Sequence, residues 1–109
     1  MTDFSQKHCV PCEGGVPKLV KAQADAFLKD VPGWSLSEDS TKIVKKWKLK
    51  NFKEAIAFVN RVAEIANAED HHPDIIINYN RVTLTLWTHA IGGLSENDFI
   101  VAAKIEALK

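Results

Sequence analysis

Apolar residues recur along the chain at two different spacings, one typical of helices and the other of strands. Three segments repeat apolar positions every three or four residues, as one face of a helix requires. These segments are residues 17–31, 51–69 and 95–108. Pro17 suits the first position of a helix. Asn51 and Glu54 have the spacing of a capping box, and Ser95 and Asp98 repeat it. The pattern therefore predicts three helices that begin near these residues.

Four shorter segments are rich in β-branched and aromatic residues, and these predict strands. They are residues 34–36, 40–49, 74–79 and 82–89. Asn80-Arg81 is the predicted two-residue turn of a hairpin between the last two. The order is α-β-β-α-β-β-α, which favours an α+β fold with a four-stranded antiparallel sheet and three helices on one face. A single domain is expected over residues 17–109, after an irregular leader at residues 1–16.

Composition narrows the class of protein. The chain has 109 residues, of which 46% are hydrophobic and 26% charged, and its 14 basic and 14 acidic residues cancel. This balance argues against broad electrostatic binding to nucleic acid or to an anionic membrane. The lysine-rich stretch 42–53 is interpreted as a strand whose lysine side chains lie on its solvated side or at a sheet edge. The leader lacks the apolar run of a secretory signal, and no apolar segment of the sequence is long enough to span a membrane. A cytoplasmic protein with reduced cysteines is expected.

Three of the four histidines fall within residues 69–93. His71 and His72 precede Pro73, which disfavours a helical conformation at His72, so the second helix should end there. His71 would then lie at a helix C-terminus, where the helix dipole favours a protonated imidazole. His89 lies at the end of the last predicted strand. Three histidines without an obvious nucleophile indicate proton transfer, such as dehydration or tautomerisation of a small molecule.

Side chains along the last strand should alternate between two faces. The face made of Val82, Leu84 and Leu86 is expected to meet the helices. The opposite face is expected to carry Thr83, Thr85, Trp87 and His89. Three interpretations of this second face stay open: a shallow binding surface, a solvated surface, or a contact with another subunit.

A metal site is the main competing interpretation of the histidines. Neighbouring histidines in an extended segment point apart, which does not suit two ligands of one ion. Cys9 and Cys12, with His8 beside them, could supply half of a zinc site or a redox pair, but a zinc site needs about four ligands. A structural or idle role is favoured for the cysteines, and no metal or cofactor is expected.

In these segments the sequence resembles the pterin-4a-carbinolamine dehydratases, also known as dimerisation cofactors of a homeodomain transcription factor. The resemblance covers nearly the whole chain, from Gly33-Trp34 through residues 47–66 to residues 71–99. The double histidine with its proline, a tyrosine, a third histidine and a later aspartate match the family's signature in spacing. In this chain they are His71, His72, Tyr79, His89 and Asp98. Asp98 also completes the capping box with Ser95, and capping of the last helix is the interpretation favoured for it.

The resemblance implies a reaction and a set of site residues. A 4a-hydroxytetrahydrobiopterin would lose water to give quinonoid dihydropterin, which recycles the cofactor of aromatic amino acid hydroxylases. The resemblance implies that His71, His72 and His89 are catalytic, with His71 and His89 as the proton-transfer pair and His72 as the orienting ligand. The residues expected to line the pterin are Asp70, His71, His72, Trp87, Thr88, His89 and Ala90. Asn67 stands where the family usually has an acidic residue, and Glu69 or Asp70 could compensate.

The resemblance also implies partners. Subunits of this family form homodimers or homotetramers through sheet edges and the central helix, and a functional link to phenylalanine hydroxylase is expected. Two alternatives belong to other classes. One is a non-enzymatic module for dimerisation of a partner, and the other is a pterin-binding protein in molybdopterin metabolism.

Overall fold

The computed structural model describes residues 18–108. The chain forms three helices and four strands in the predicted order α-β-β-α-β-β-α, so the predicted α+β fold is confirmed. The elements are α1 (Lys21–Leu28), β1 (Ser35–Leu36), β2 (Ile43–Lys48), α2 (Phe52–Glu69), β3 (Asp74–Asn78), β4 (Arg81–Leu86) and α3 (Glu96–Glu106).

The four strands form one antiparallel sheet in the order β1-β2-β4-β3. Leu84, in the middle of β4, pairs with Lys45 on one side and with Ile75 on the other. On β4 the predicted alternation is observed, because Val82, Leu84 and Leu86 are fully buried while Thr83 and Thr85 between them are not. The apolar face of the sheet therefore forms one side of the core.

All three helices contribute to the core that covers this face. Each helix contributes fully buried apolar side chains, such as Ala24 of α1, Ala55 and Val62 of α2, and Phe99 and Val101 of α3. Burial of these apolar side chains is the main source of stability for such a layered domain. The helix α2 begins as predicted, because the Asn51 side chain accepts a hydrogen bond from the backbone N–H of Glu54.

The helix α1 begins at Lys21, so the prediction of a start at Pro17 is wrong, and Pro17 itself lies outside the described residues. Tertiary contacts explain the later start. The backbone N–H of Leu19 donates to the carbonyl of Leu94 at 2.9 Å, and Val20 after it has an extended backbone with φ −82° and ψ 163°. The N–H of Val20 then donates to the side-chain oxygen of Gln23 and caps the helix.

The hairpin between β3 and β4 turns at Tyr79-Asn80, one residue before the predicted turn at Asn80-Arg81. Tyr79 adopts a positive φ of 55°, which is unusual for a bulky residue. Asn80 is tied to the end of β2, since its side-chain amide donates to the carbonyl of Leu49 and its own carbonyl accepts from the N–H of Leu49. These two hydrogen bonds fix which residues occupy the loop.

The strand β4 ends at Leu86, so the prediction that it continues to His89 is wrong. Leu86 pairs with Ile43, the first residue of β2, and beyond this point β4 has no neighbour in the sheet. Thr88 instead forms an isolated bridge with Gly93, and a 3₁₀ turn covers His89–Ile91. His89 therefore belongs to a turn at the end of the sheet rather than to the strand. No helix among residues 18–108 is both long and apolar enough to cross a membrane.

Candidate active site

The site is built where the C-terminus of α2, the end of β4 and the N-terminus of α3 meet. At the end of α2, Asp70 adopts a left-handed conformation with φ 51° and ψ 41°. The N–H of His71 then donates to the carbonyl of Ala66 at 3.1 Å. This arrangement ends the helix and turns the chain into the extended segment that carries His71, His72 and Pro73.

His71 pairs with Asp98, the third residue of α3. Its Nε2 atom lies 2.6 Å from the Asp98 Oδ1 atom. The Asp98 side chain is fully buried and that of His71 is 12% exposed, so water screens this pair poorly. A buried carboxylate without hydrogen bonds would be costly, and the second oxygen of Asp98 has partners of its own.

Asp98 Oδ2 accepts hydrogen bonds from the N–H of Ser95 and from the hydroxyl of Thr88, each at 2.9 Å. The bond to Ser95 closes the predicted capping box of α3, which is confirmed. Because the Thr88 hydroxyl donates to Asp98, the 2.7 Å contact between Thr88 and Ser95 requires the Ser95 hydroxyl to donate to Thr88. One carboxylate thus caps a helix, holds His71, and connects both to the residue that precedes His89.

His72 has a different partner. Its Nε2 atom lies 3.1 Å from the amide oxygen Oδ1 of Asn67, and both residues are exposed. The two adjacent histidines therefore contact unlike groups, a buried carboxylate for His71 and an exposed neutral amide for His72. Within residues 18–108, no hydrogen bond joins one histidine side chain to another.

His89 stacks on Trp87. The two ring centroids are 4.1 Å apart and the ring planes differ by 27°. The indole is held in turn, because its Nε1–H donates to Asp74 Oδ2 at 3.4 Å and the Lys42 Nζ atom lies 4.8 Å from the ring centroid. One face of the indole is thus occupied by the imidazole of His89, and this contact restricts the orientation of that ring.

Comparison with known proteins decides the family. The family model described as pterin 4 alpha carbinolamine dehydratase matches residues 17–108. The chain belongs to this family. The enzyme class that the resemblance implied is thereby confirmed, and the dehydratase fold accounts for the arrangement of helices and strands.

Relatives from several bacteria align with almost the full length of this dehydratase-family chain. One from Halorhodospira halophila is 51% identical over 96% of each chain. One from Rubrobacter xylanophilus is 42% identical over 99% of this chain and 100% of its own. Both carry the provisional name pterin-4-alpha-carbinolamine dehydratase. A crystal structure described as a transcriptional coactivator/pterin dehydratase from Brucella melitensis has a TM-score of 0.79 and 33% identity, covering 84% of this chain and 97% of its own.

The other residues expected in the dehydratase site lie in three different structural environments. Asp70 caps α2 in a left-handed conformation, Thr88 is buried inside the Asp98 network, and Ala90 is exposed in the 3₁₀ turn. Among the described residues, no group of three or more His, Cys, Asp or Glu could hold a metal ion. His8, Cys9 and Cys12 lie outside the described residues.

Sequence reasoning treated Asp98 mainly as a helix cap and missed its contact with His71. A signal was present, because a capping box uses the carboxylate oxygen that faces the N-cap and leaves the other oxygen available. A second partner for a buried carboxylate could therefore have been sought among the nearby histidines of the dehydratase signature.

Proposed function

We propose that this protein dehydrates a pterin-4a-carbinolamine to quinonoid dihydropterin, with His71 and His89 as the proton-transfer pair. The observation that carries the proposal is the 2.6 Å contact between His71 Nε2 and Oδ1 of the buried Asp98. An imidazole held by a buried carboxylate, in a chain of this family, is a group suited to moving a proton.

The reaction needs two proton transfers and no change in oxidation state. The bond between C4a and the hydroxyl oxygen breaks, and the oxygen takes a proton as it leaves, giving water. The proton on N5 departs to a base, and its electron pair forms the new double bond between N5 and C4a. A protonated histidine can supply the first proton and a neutral histidine can accept the second, since imidazole exchanges protons near neutral pH.

Asp98 supports His71 in the first of these tasks. A carboxylate only accepts hydrogen bonds when ionised, so the Nε2 atom of His71 must carry the hydrogen between them. The Nδ1 atom is then the one available to a substrate. When His71 is protonated at both nitrogens, the negative charge of Asp98 stabilises the resulting imidazolium.

His89 would serve as the second proton-transfer group. Its ring is restricted by the stack on Trp87, and the Trp87 ring is itself held by Asp74. The pterin would lie beside His71, His72 and His89, with Asp70, Trp87 and Ala90 along its edges. Thr88 would act through Asp98, because its hydroxyl is buried and donates to that carboxylate.

The physiological setting that we propose is recycling of tetrahydrobiopterin for phenylalanine hydroxylase or another aromatic amino acid hydroxylase, in the cytoplasm. A homo-oligomer is also proposed. The edge strand β3 carries Ile75 and Ile76, which are 37% and 54% exposed, and the neighbouring Tyr79 is 65% exposed. An apolar edge of this kind is unfavourable in water and suits pairing with a second copy.

The test is an assay of carbinolamine decay. Purified protein would be added to a phenylalanine hydroxylase reaction, and the ultraviolet absorbance of the 4a-carbinolamine would be followed with time. We expect faster decay with the wild-type protein, and decay at the buffer rate with His71→Ala and His89→Ala.

Wild-type decay at the buffer rate would overturn the enzyme proposal. Retained pterin binding would then favour a binding protein of another pathway, and no binding would favour an interaction module. If both variants accelerate carbinolamine decay as much as the wild type does, the two histidines are not the proton-transfer pair.

A further inference from the structure

Asn67 lies in the last turn of α2 and contacts His72 through its amide oxygen. An amide oxygen can only accept a hydrogen bond, so the Nε2 atom of His72 carries the hydrogen in this 3.1 Å contact. A neutral imidazole has a single N–H group. In a neutral ring the Nδ1 atom of His72 therefore keeps its lone pair and can accept a hydrogen bond.

The partner of His72 differs in charge from that of His71. Asp98 can stabilise a positive imidazolium, whereas the amide of Asn67 is neutral and offers a weaker hydrogen bond of the ordinary kind. The structure thus places one histidine beside a carboxylate and the next beside an amide, with the same ring nitrogen engaged in both.

We propose that Asn67 is a positioning residue that presents His72 Nδ1 as a fixed acceptor for a ring N–H of the pterin. This inference rests on the proposed function and adds how the substrate is recognised. A reduced pterin carries several N–H groups along its edge, and a fixed acceptor selects a donor at that position. His72 then orients the substrate as a neutral ring, while proton transfer is left to other histidines.

Substitution of Asn67 by Asp tests this role directly. A carboxylate partner would stabilise a His72 ring that is protonated at both nitrogens, and Nδ1 would then donate instead of accept. Two donors would face each other, so we expect KM to rise by about tenfold below neutral pH. The increase in KM should become smaller as the pH is raised, and kcat should change less than KM.

Two further variants separate positioning from structure and from charge. Asn67→Ala leaves the His72 ring unheld, and KM should rise at every pH. Asn60→Asp adds the same charge at another exposed position of α2, with no role in the site, so KM should match that of the wild type. Thermal unfolding of each variant would show that the fold is retained.

Nitrogen-15 NMR of the imidazole rings provides a readout without turnover. In the wild-type protein without ligand, the proton of neutral His72 should lie on Nε2. A proton on Nδ1, or a KM of Asn67→Asp that does not depend on pH relative to the wild type, would overturn the proposal. Absence of dehydration in the wild type, with the Nε2–H form observed, would instead overturn the proposed function.

Discussion

His71 and Asp98 are 27 residues apart in the chain, and their side chains meet at 2.6 Å between Nε2 and Oδ1. The contact connects the end of α2 to the first turn of α3. Because the same carboxylate also accepts hydrogen bonds from Ser95 and Thr88, the orientation of His71 depends on how α3 begins. The capping of one helix and the chemistry of the site therefore share a single residue.

Replacement of Asp98 by Asn should separate these two tasks. The amide has one oxygen, so it cannot accept from His71, Ser95 and Thr88 as the carboxylate does. We expect kcat to fall by roughly a hundredfold, as for loss of support to a general acid. Unfolding free energy should fall by about 1–2 kcal/mol, from the weakened cap and buried network. Carbinolamine decay and urea unfolding measure the two effects.

Ser95→Ala is the matched control, because it weakens the same cap and network but leaves the His71–Asp98 contact in place. Its stability should fall by a similar amount, about 1 kcal/mol, while most of kcat is retained. Equal losses of kcat in both variants would show that activity follows the stability of α3 rather than the carboxylate.

A second prediction concerns kcat and follows from the stack between Trp87 and His89. Trp87→Ala removes the surface against which the imidazole rests, and kcat should fall by roughly tenfold or more because His89 is no longer oriented. Trp87→Phe keeps an aromatic face and should retain most of the activity. Asp74→Ala removes the acceptor of the indole N–H and tests whether this hydrogen bond matters separately. Full activity in Trp87→Ala would exclude a positioning role for the indole.

A third prediction concerns the stability of the protein. Asp70 occupies a left-handed conformation that glycine adopts at lower cost. Asp70→Gly should raise the unfolding free energy by up to about 1 kcal/mol. A higher KM in this variant would indicate that the lost carboxylate contacts the pterin, since the fold is not weakened. A decrease in stability would show that the side chain of Asp70 contributes more than its conformation costs.

We expect the contribution of Asp39 to the stability of the protein to depend on pH. Hydrogen bonds from Thr41 and Ser37 lower the pKa of Asp39 from its ordinary value of 3.8 to about 2. The unfolded chain therefore takes up this proton first as the pH falls. The stabilisation by Asp39 is present above about pH 4 and is lost between about pH 4 and pH 2.

Urea unfolding of the wild type and of Asp39→Asn over this range measures the effect. The difference in stability between the two proteins should shrink as the pH falls to about 2. Glu38→Gln serves as the charge-matched control, because Glu38 forms none of these hydrogen bonds. A difference that stays constant from pH 5 to pH 2 would contradict the assignment.

Local patterns in the sequence predicted the elements that depend on nearby residues. Asn51 accepts from the N–H of Glu54 within one turn, so the start of α2 could be recognised from spacing alone. The alternation of Val82, Leu84 and Leu86 likewise predicted the buried face of β4. Both signals act over a few residues, where propensity and hydrophobic period are strongest.

The errors occurred where distant residues compete with local preference. Leu19 donates its backbone N–H to the distant Leu94, and α1 begins only at Lys21. Leu49 holds Asn80 and moves the hairpin turn by one residue. Such hydrogen bonds are formed only after the elements have packed, and no periodicity along the chain reports them.

The family signature, the order of the elements and the histidines of the candidate site can be recognised in the sequence alone. The partner of each histidine depends on how the chain packs, and it is a carboxylate for His71, an amide for His72 and an indole for His89. The reason is physical: hydrogen bonding and stacking depend on distances of a few ångströms between residues. In His71 and Asp98 those distances arise from the way two helices pack.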